Sequence, residues 1–239
     1  MAKKNSITIW PDHEAASLAA AHRIVFLCSE SISKRGRFTL ALSGGNTPAR
    51  LFDLLSSASF RHTIEWDKVL LFWSDERFVP HDHEDSNYRM AKTHLLSGIP
   101  VPAANIYPIP TDSDPKKNAE EYEHTIRSSF RKRPIRFDCI LLGMGTDGHT
   151  ASLFPGTAIL KEKKRLISEV WVEEKKTWRI SFTLPLINEA RQILFLVTGK
   201  DKAAALNKVW GKKQDPSLPA RLVKGNVSWI TDESSHGRE

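Results

Sequence analysis

Phe137 to Pro155 reads "FDCILLGMGTDGHTASLFP". Its first seven residues show no alternation of apolar and polar side chains, which marks a strand covered on both faces, as in a parallel sheet. The run stops at Gly143, and Gly145, Gly148 and then His149 follow. Gly143, Gly145 and Gly148 fit a G-x-G-x-x-G pattern. A dinucleotide fold, however, needs a helix packed directly behind the glycines, and Pro155 and Gly156 arrive too soon for one. Gly143, Gly148, His149 and Thr150 also imitate a P-loop, with histidine where the phosphate-directed lysine would stand. What remains is a strand that ends in a bare turn holding Asp147 and His149.

The same grammar recurs along the chain. "RFTLAL" (Arg37 to Leu42), "KVLLFW" (Lys68 to Trp73) and "QILFLVTG" (Gln192 to Gly199) read as buried strands, and "SITIW" (Ser6 to Trp10), "NIYPI" and "NVSWIT" as further strands. "RLISEVWV" and "WRISFTL" also look like strands. Helical stretches lie between them: a long one capped by Asp12, "PARLFDLL" with Thr47 as cap and Pro48 in the first turn, "NYRMAKTHLL" capped by Ser86, "SDPKKNAEEYEHTIRSSF" capped by Asp114, and "KDKAAALNKVW". Alternation of this kind predicts one α/β domain over 1–239: a Rossmann-like, mostly parallel sheet with helices on both faces. In such sheets ligands bind beyond the carboxyl ends of the strands. The loops "SGGNT", "SDERF" and "GMGTDGHT" all leave buried strands and would open on that edge.

The 239 residues are 40% hydrophobic, enough for one large core. Lysine and arginine outnumber aspartate and glutamate by 35 to 28, a net +7. That balance suits anionic partners. The basic runs "RKRPIR" and "KEKKR" lack interleaved aromatic residues and read as solvated surface, so no nucleic-acid partner is expected. Cys28 and Cys139 sit among apolar neighbours and read as buried free thiols of a reducing compartment. The start "MAKKNSITIW" has no signal-peptide core, and no apolar run reaches the ~20 residues of a membrane span. A cytoplasmic protein without a membrane partner is expected.

The loops carry the chemistry. Gly44 and Gly45 allow close backbone approach, and with Ser43, Thr47 and the helix start behind them they can cradle a phosphate. Asp147 and His149, two residues apart on an extended loop, can face the same way. Asp147 can then orient the imidazole or bind a substrate hydroxyl, while His149 suits a general base. Asp75, Glu76 and Arg77 follow a core strand directly, and Arg77 can clamp a phosphate or a carboxylate. "HDHED" (His81 to Asp85) lacks the ligand geometry of a zinc site. No G-x-S-x-G elbow is present, and neither cysteine lies in an electropositive loop.

Together, "LALSGGNTPARLF", "WSDERFVPHDHEDSNYRM", "LLGMGTDGHTASLFPGT", "FTLPLINEARQILFLVTGKDKAAAL" and "LPARLVKGNVSWITD" resemble the 6-phosphogluconolactonase family, from about Trp10 to Asp232. The resemblance implies the fold shared with glucosamine-6-phosphate deaminase and ribose-5-phosphate isomerase. It implies hydrolysis of 6-phospho-glucono-1,5-lactone to 6-phosphogluconate in the pentose phosphate pathway, with no metal and no organic cofactor. On this reading His149 and Asp147 are catalytic, and loop N–H groups stabilise the oxyanion. Ser43, Gly44, Gly45, Thr47, Asp75, Arg77, Asn87, Gly145, Gly148, Arg179 and Lys202 hold the sugar and its phosphate. A monomer, or at most a weak dimer, is expected. One departure stands out: the family is often proline-rich where this chain has Lys175 and Lys176.

Two rival readings remain open. A sugar-phosphate deaminase or aldose–ketose isomerase on the same scaffold would want a carboxylate soon after the histidine, where this chain reads "ASLFP". A non-catalytic sugar-phosphate sensor would want an attached DNA-binding module.

Overall fold

The computed structural model describes residues 5–131, 133–211 and 215–237. Met1 to Lys4 of the start read above, Lys132 of the "RKRPIR" run and the last two residues of the tail lie outside them. Among the described residues, ten strands form two sheets. The larger has seven strands: β1 (Asn5–Trp10), β2 (Phe38–Leu42), β3 (Val69–Trp73), β5 (Ile106–Tyr107), β6 (Cys139–Leu142), β9 (Ile193–Val197) and β10 (Val227–Asp232). Their order is β1-β10-β9-β6-β2-β3-β5, and every pairing is parallel. Every residue of β2, β6 and β9 is buried, as the unbroken apolar runs of β6 and β9 require, and the one polar residue of β2, Thr39, is paired with Asp138.

Helices surround this sheet: α1 (His13–Arg35), α2 (Thr47–Ser56), α3 (Asn87–His94), α4 (Pro115–Phe130), α5 (Leu184–Ile187), α6 (Ala203–Trp210) and α7 (Pro219–Leu222). Three of the expected caps form. The side chains of Asp12, Ser86 and Asp114 accept backbone N–H bonds in the first turns of α1, α3 and α4. At α2 the expectation shifts by one residue. Asn46 occupies the cap position and makes no side-chain cap bond, so Thr47 opens the helix instead of capping it.

The second sheet is antiparallel, ordered β4-β8-β7: β4 (Asp75–Arg77), β8 (Thr177–Phe182) and β7 (Ile167–Val172). "RLISEVWV" and "WRISFTL" are strands as expected, but they stand outside the parallel sheet. The segment after Ser74, read as loop, is a three-residue strand. It pairs Asp75 with Ser181 and Arg77 with Arg179. Too short to show any periodicity, it exists because β8 offers it a ladder.

Aromatic packing joins the layers. Phe137 lies edge-on to Phe72 at 5.1 Å and meets Phe182 of β8 at 5.2 Å. Tyr122 of α4 is fully buried, and its hydroxyl accepts the Trp73 N–H at 2.9 Å where β3 hands over to β4. The rim from which β4 departs is therefore held by a satisfied buried polar group.

Candidate active site

The turns after β2, β3 and β6 meet in one cavity of about 260 Å³ beyond the carboxyl ends of the strands. Ser43, Gly44, Gly45 and Thr47 line it from the β2–α2 turn, Asp75 and Arg77 from β4, and Asn87 from the start of α3. Gly145 and His149 come from the β6 turn, Arg179 from β8, and Lys202 from just ahead of α6. Eleven of the thirteen residues singled out in the sequence thus line one hollow. Asp147 and Gly148 stand behind it.

Asp147 is the partner of His149. Its Oδ1 lies 2.5 Å from His149 Nδ1 and also accepts the His149 backbone N–H at 3.1 Å. Burial raises the Asp147 carboxyl, but the His149 hydrogen bonds and charge outweigh it and hold the group below its ordinary value. A carboxylate on Nδ1 places the proton there and leaves the Nε2 lone pair for a substrate. The far face of the imidazole is packed as well: His149 stacks on Phe154 at 4.1 Å, and the Arg179 guanidinium lies 5.5 Å from the centre of the same Phe154 ring.

Gly145 is required by space. A Cβ built there would sit 2.1 Å from His149 Nδ1. Gly148 is required by conformation, with φ at +79° and its carbonyl accepting the Ala220 N–H. Their own N–H groups close the turn, Gly145 to the His149 carbonyl and Gly148 to the Gly145 carbonyl. The expectation that N–H groups of this glycine loop serve an oxyanion is corrected for these two: both are already spent.

The β2–α2 turn behaves differently. Gly45 has φ at +93°, and among the described residues no hydrogen bond occupies the N–H of Gly44 or Gly45. With the first turn of α2 behind them, these groups present positive potential to the cavity. Gly44 also admits a neighbour, since a Cβ there would fall 1.8 Å from Asn87 Oδ1. Asn87 in turn donates through Nδ2 to the Asp75 carbonyl at 2.8 Å, and among the described residues its buried Oδ1 has no partner.

The "SDER" charges separate by face. Asp75 is buried at the cavity floor, where Ser152 donates to its Oδ2 at 2.7 Å. Glu76 turns away and does structural work. It accepts the N–H groups of Arg77, Asn87 and Tyr88 and the Ser86 hydroxyl. Burial pushes its carboxyl up, against the pull of those N–H donors. Arg77 donates to the Asp85 carbonyl, a partner that brings no net charge. Among the described residues, the Nε atoms of both Arg77 and Arg179 are buried and unpartnered.

Thr150, Met144 and Asn46 also line the cavity, and Ser152 and Phe154 support it. They were not singled out in the sequence. Thr150, Met144, Ser152 and Phe154 had only their nearness to His149 as a signal, and Asn46 only its place in the "SGGNT" loop, because a contact such as Ser152 to Asp75 spans 77 positions. Lys175 and Lys176 lie in the connection between β7 and β8, where Lys176 takes a left-handed backbone and pairs with Glu173. His81 bonds the Ile109 carbonyl and His83 accepts the Asp85 N–H, so both serve local structure. Among the described residues no group of three acids, histidines or cysteines is placed to hold a metal ion. No helix among them is long and apolar enough to cross a membrane.

A parallel sheet whose rim gathers cationic side chains, open N–H groups and a histidine–carboxylate pair defines an α/β protein built to handle a small anionic substrate. The comparisons narrow that class. The family model described as glucosamine-6-phosphate isomerases/6-phosphogluconolactonase matches residues 11–230, and the chain belongs to that family. It is 42% identical over 214 residues to a 6-phosphogluconolactonase of Synechocystis, covering 87% of each chain. It is 38% identical over 240 residues to one of Nostoc, covering 97% of each. The solved structure of 6-phosphogluconolactonase from Trypanosoma cruzi superposes with a TM-score of 0.87 at 30% identity, covering 99% of this chain and 97% of that one.

Proposed function

We propose that this chain hydrolyses 6-phospho-D-glucono-1,5-lactone to 6-phospho-D-gluconate, the lactonase step of the oxidative pentose phosphate pathway. Relatives bearing that name at 38% and 42% identity support the reaction. The observation that carries the mechanism is the Asp147–His149 bond beside a cavity that also holds Arg77, Arg179 and Lys202.

A lactone is an ester, so hydrolysis needs a deprotonated water, a stabilised oxyanion and a protonated leaving oxygen. His149 Nε2 takes a proton from water while the water oxygen bonds to C1 and the carbonyl electron pair moves onto its oxygen. Collapse of that adduct returns the pair and breaks the bond from C1 to the ring oxygen. The proton on Nε2 then passes to the departing oxygen. The new acid group ionises to solvent. Acid–base catalysis of this kind by His149 contributes ~10²–10⁴-fold, and Asp147 holds the ring in the competent tautomer and faces the imidazolium while it is charged.

The phosphate is assigned to Gly44, Gly45, Thr47, Arg179 and Lys202 with Arg77, and the sugar hydroxyls to Ser43, Asp75 and Asn87. The Gly145 and Gly148 N–H groups are committed to their own turn and are given no part in holding the oxyanion. Binding energy from the remote phosphate then positions C1 over Nε2.

The test is continuous titration of released protons with freshly generated lactone, corrected for the uncatalysed rate. Turnover above background that disappears in His149→Ala supports the proposal. Ammonia release from glucosamine-6-phosphate with no lactone turnover would replace it with the deaminase reading.

A further inference from the structure

At the amino ends of the strands, opposite the candidate active site, lies a second cavity of about 460 Å³. Six of its ten lining residues are cationic, and Asp138 is the one acid among them. The charges converge from three separate segments: Lys34, Arg35 and Arg37 from the junction of α1 with β2, Arg133 and Arg136 from ahead of β6, and Arg191 from ahead of β9. A solvated basic run on one loop has no such convergence.

The arginines are held in place by the protein. Arg35 donates through Nε to Asp138 Oδ1 at 2.8 Å, and Arg191 Nε lies 3.3 Å from the same oxygen. Arg136 donates through Nε to the Glu189 carbonyl at 2.8 Å. In all three the anchoring atom is Nε, which leaves the two terminal amino groups out of the anchoring bond. Arg37 donates to the Ser129 carbonyl at 2.9 Å and lies 5.1 Å from the centre of the Phe130 ring.

Asp138 cannot neutralise this group. It is 6% exposed, and its second oxygen already accepts the Thr39 N–H and hydroxyl at 2.9 and 2.8 Å. Arg37 and Arg136 rest on carbonyl oxygens, which bring no net charge. Burial, then the neighbouring Arg133, holds the Arg37 guanidinium below its ordinary value; burial, then Arg35, does the same at Arg191. The cavity is a pre-set array of planar donors with too few acceptors.

We propose that this cavity binds a small polyanion carrying two or more linked phosphoryl groups. Guanidinium forks match phosphoryl oxygens in pairs, and arginines on three segments outreach a single tetrahedral ion. A chain of phosphoryl groups reaches several of them at once and supplies the negative charge that Asp138 lacks.

The experiment is calorimetric titration of the full chain with inorganic tripolyphosphate at physiological ionic strength, with orthophosphate and citrate as comparison probes. Arg77→Ala controls for binding at the candidate active site. Tripolyphosphate should bind the parent chain and Arg77→Ala alike, and at least about tenfold more tightly than either comparison probe. It should weaken at least about tenfold in the Arg133→Glu/Arg191→Gln double variant. Arg133→Glu alone, at an exposed position, should show a smaller loss in the same direction and guards against a double variant that misfolds. Binding that vanishes in Arg77→Ala but survives in the Arg133 and Arg191 variants would overturn the proposal. So would citrate binding more tightly than tripolyphosphate, or no binding of tripolyphosphate at all.

Discussion

Arg77 and Arg179 face each other across the antiparallel pairing of β4 with β8, two like charges in direct register. Such a pair is unfavourable in a sheet, and a buried N–H without a partner costs about 1–3 kcal/mol. Both costs fall away when an anion lies between the two guanidiniums. The pairing is thus legible as half of a binding interaction.

Arg77→Ala should raise KM for the phosphorylated lactone about tenfold or more and change turnover of unphosphorylated gluconolactone little. Arg179→Ala should raise KM similarly and also lower kcat, because Arg179 packs on the ring that backs His149. Steady-state kinetics on both lactones checks this. Equal losses on the two substrates in Arg77→Ala would remove its phosphate role.

His149→Ala should lower kcat by ~10²–10⁴-fold with little change in KM. Asp147→Asn should lower kcat less and leave binding of the product phosphate intact. The Asp147 carboxyl is held below its ordinary value in the folded state. Its contribution to stability is therefore present above the unfolded carboxylate value of about 3.9 and disappears as pH falls through the lower, folded one. The melting-temperature gap between the parent and Asp147→Asn should be steady near neutrality and close only in strong acid. A gap that instead closes around neutral pH would show that another group controls it.

Gly145→Ala should abolish turnover while the protein still folds, since the added methyl collides with His149 Nδ1 on a surface turn. Gly44→Ala should displace Asn87 and weaken binding. Melting curves and a lactone assay on both variants separate these effects. A fully active Gly145→Ala would show that the imidazole need not stay on Asp147.

Glu76→Gln should destabilise the fold by about 1–3 kcal/mol, because an amide group must replace one oxygen of an acceptor that serves four donors. The same change should raise KM, since Glu76 fixes the backbone that carries Arg77. Urea denaturation and kinetics report the two consequences separately.

Cys28 and Cys139 are buried, and burial pushes both thiols up to about 12. A disulfide reagent should therefore label neither in the native protein and both after unfolding. Labelling that kept pace with a small-molecule thiol would contradict their placement.

Much of the parallel sheet was readable because its strands announce themselves locally. β3, β6 and β9 are unbroken apolar runs, β2 is apolar but for Thr39, and each is followed by polar or glycine-bearing residues. Caps at Asp12, Ser86 and Asp114 were readable for the same reason, since each acts within three residues of itself. The second sheet was hidden. β4 has three residues, and its ladder depends on β8 about a hundred positions away. The opposite fates of Asp75 and Glu76 were hidden too: alternation sends adjacent strand residues to opposite faces, but only once the segment is known to be a strand. The Thr47 cap was misplaced because a hydroxyl before proline also suits the first helical position.

The outermost pairing of the larger sheet carries a consequence for biogenesis. β1 leaves the ribosome before any other described strand, yet its one neighbour in the sheet is β10, the last. The strands β2, β3 and β6 can zip together on the nascent chain, while β1 must idle, unpaired, until β10 has been made. That edge is where chaperone dependence and misassembly would concentrate in this chain.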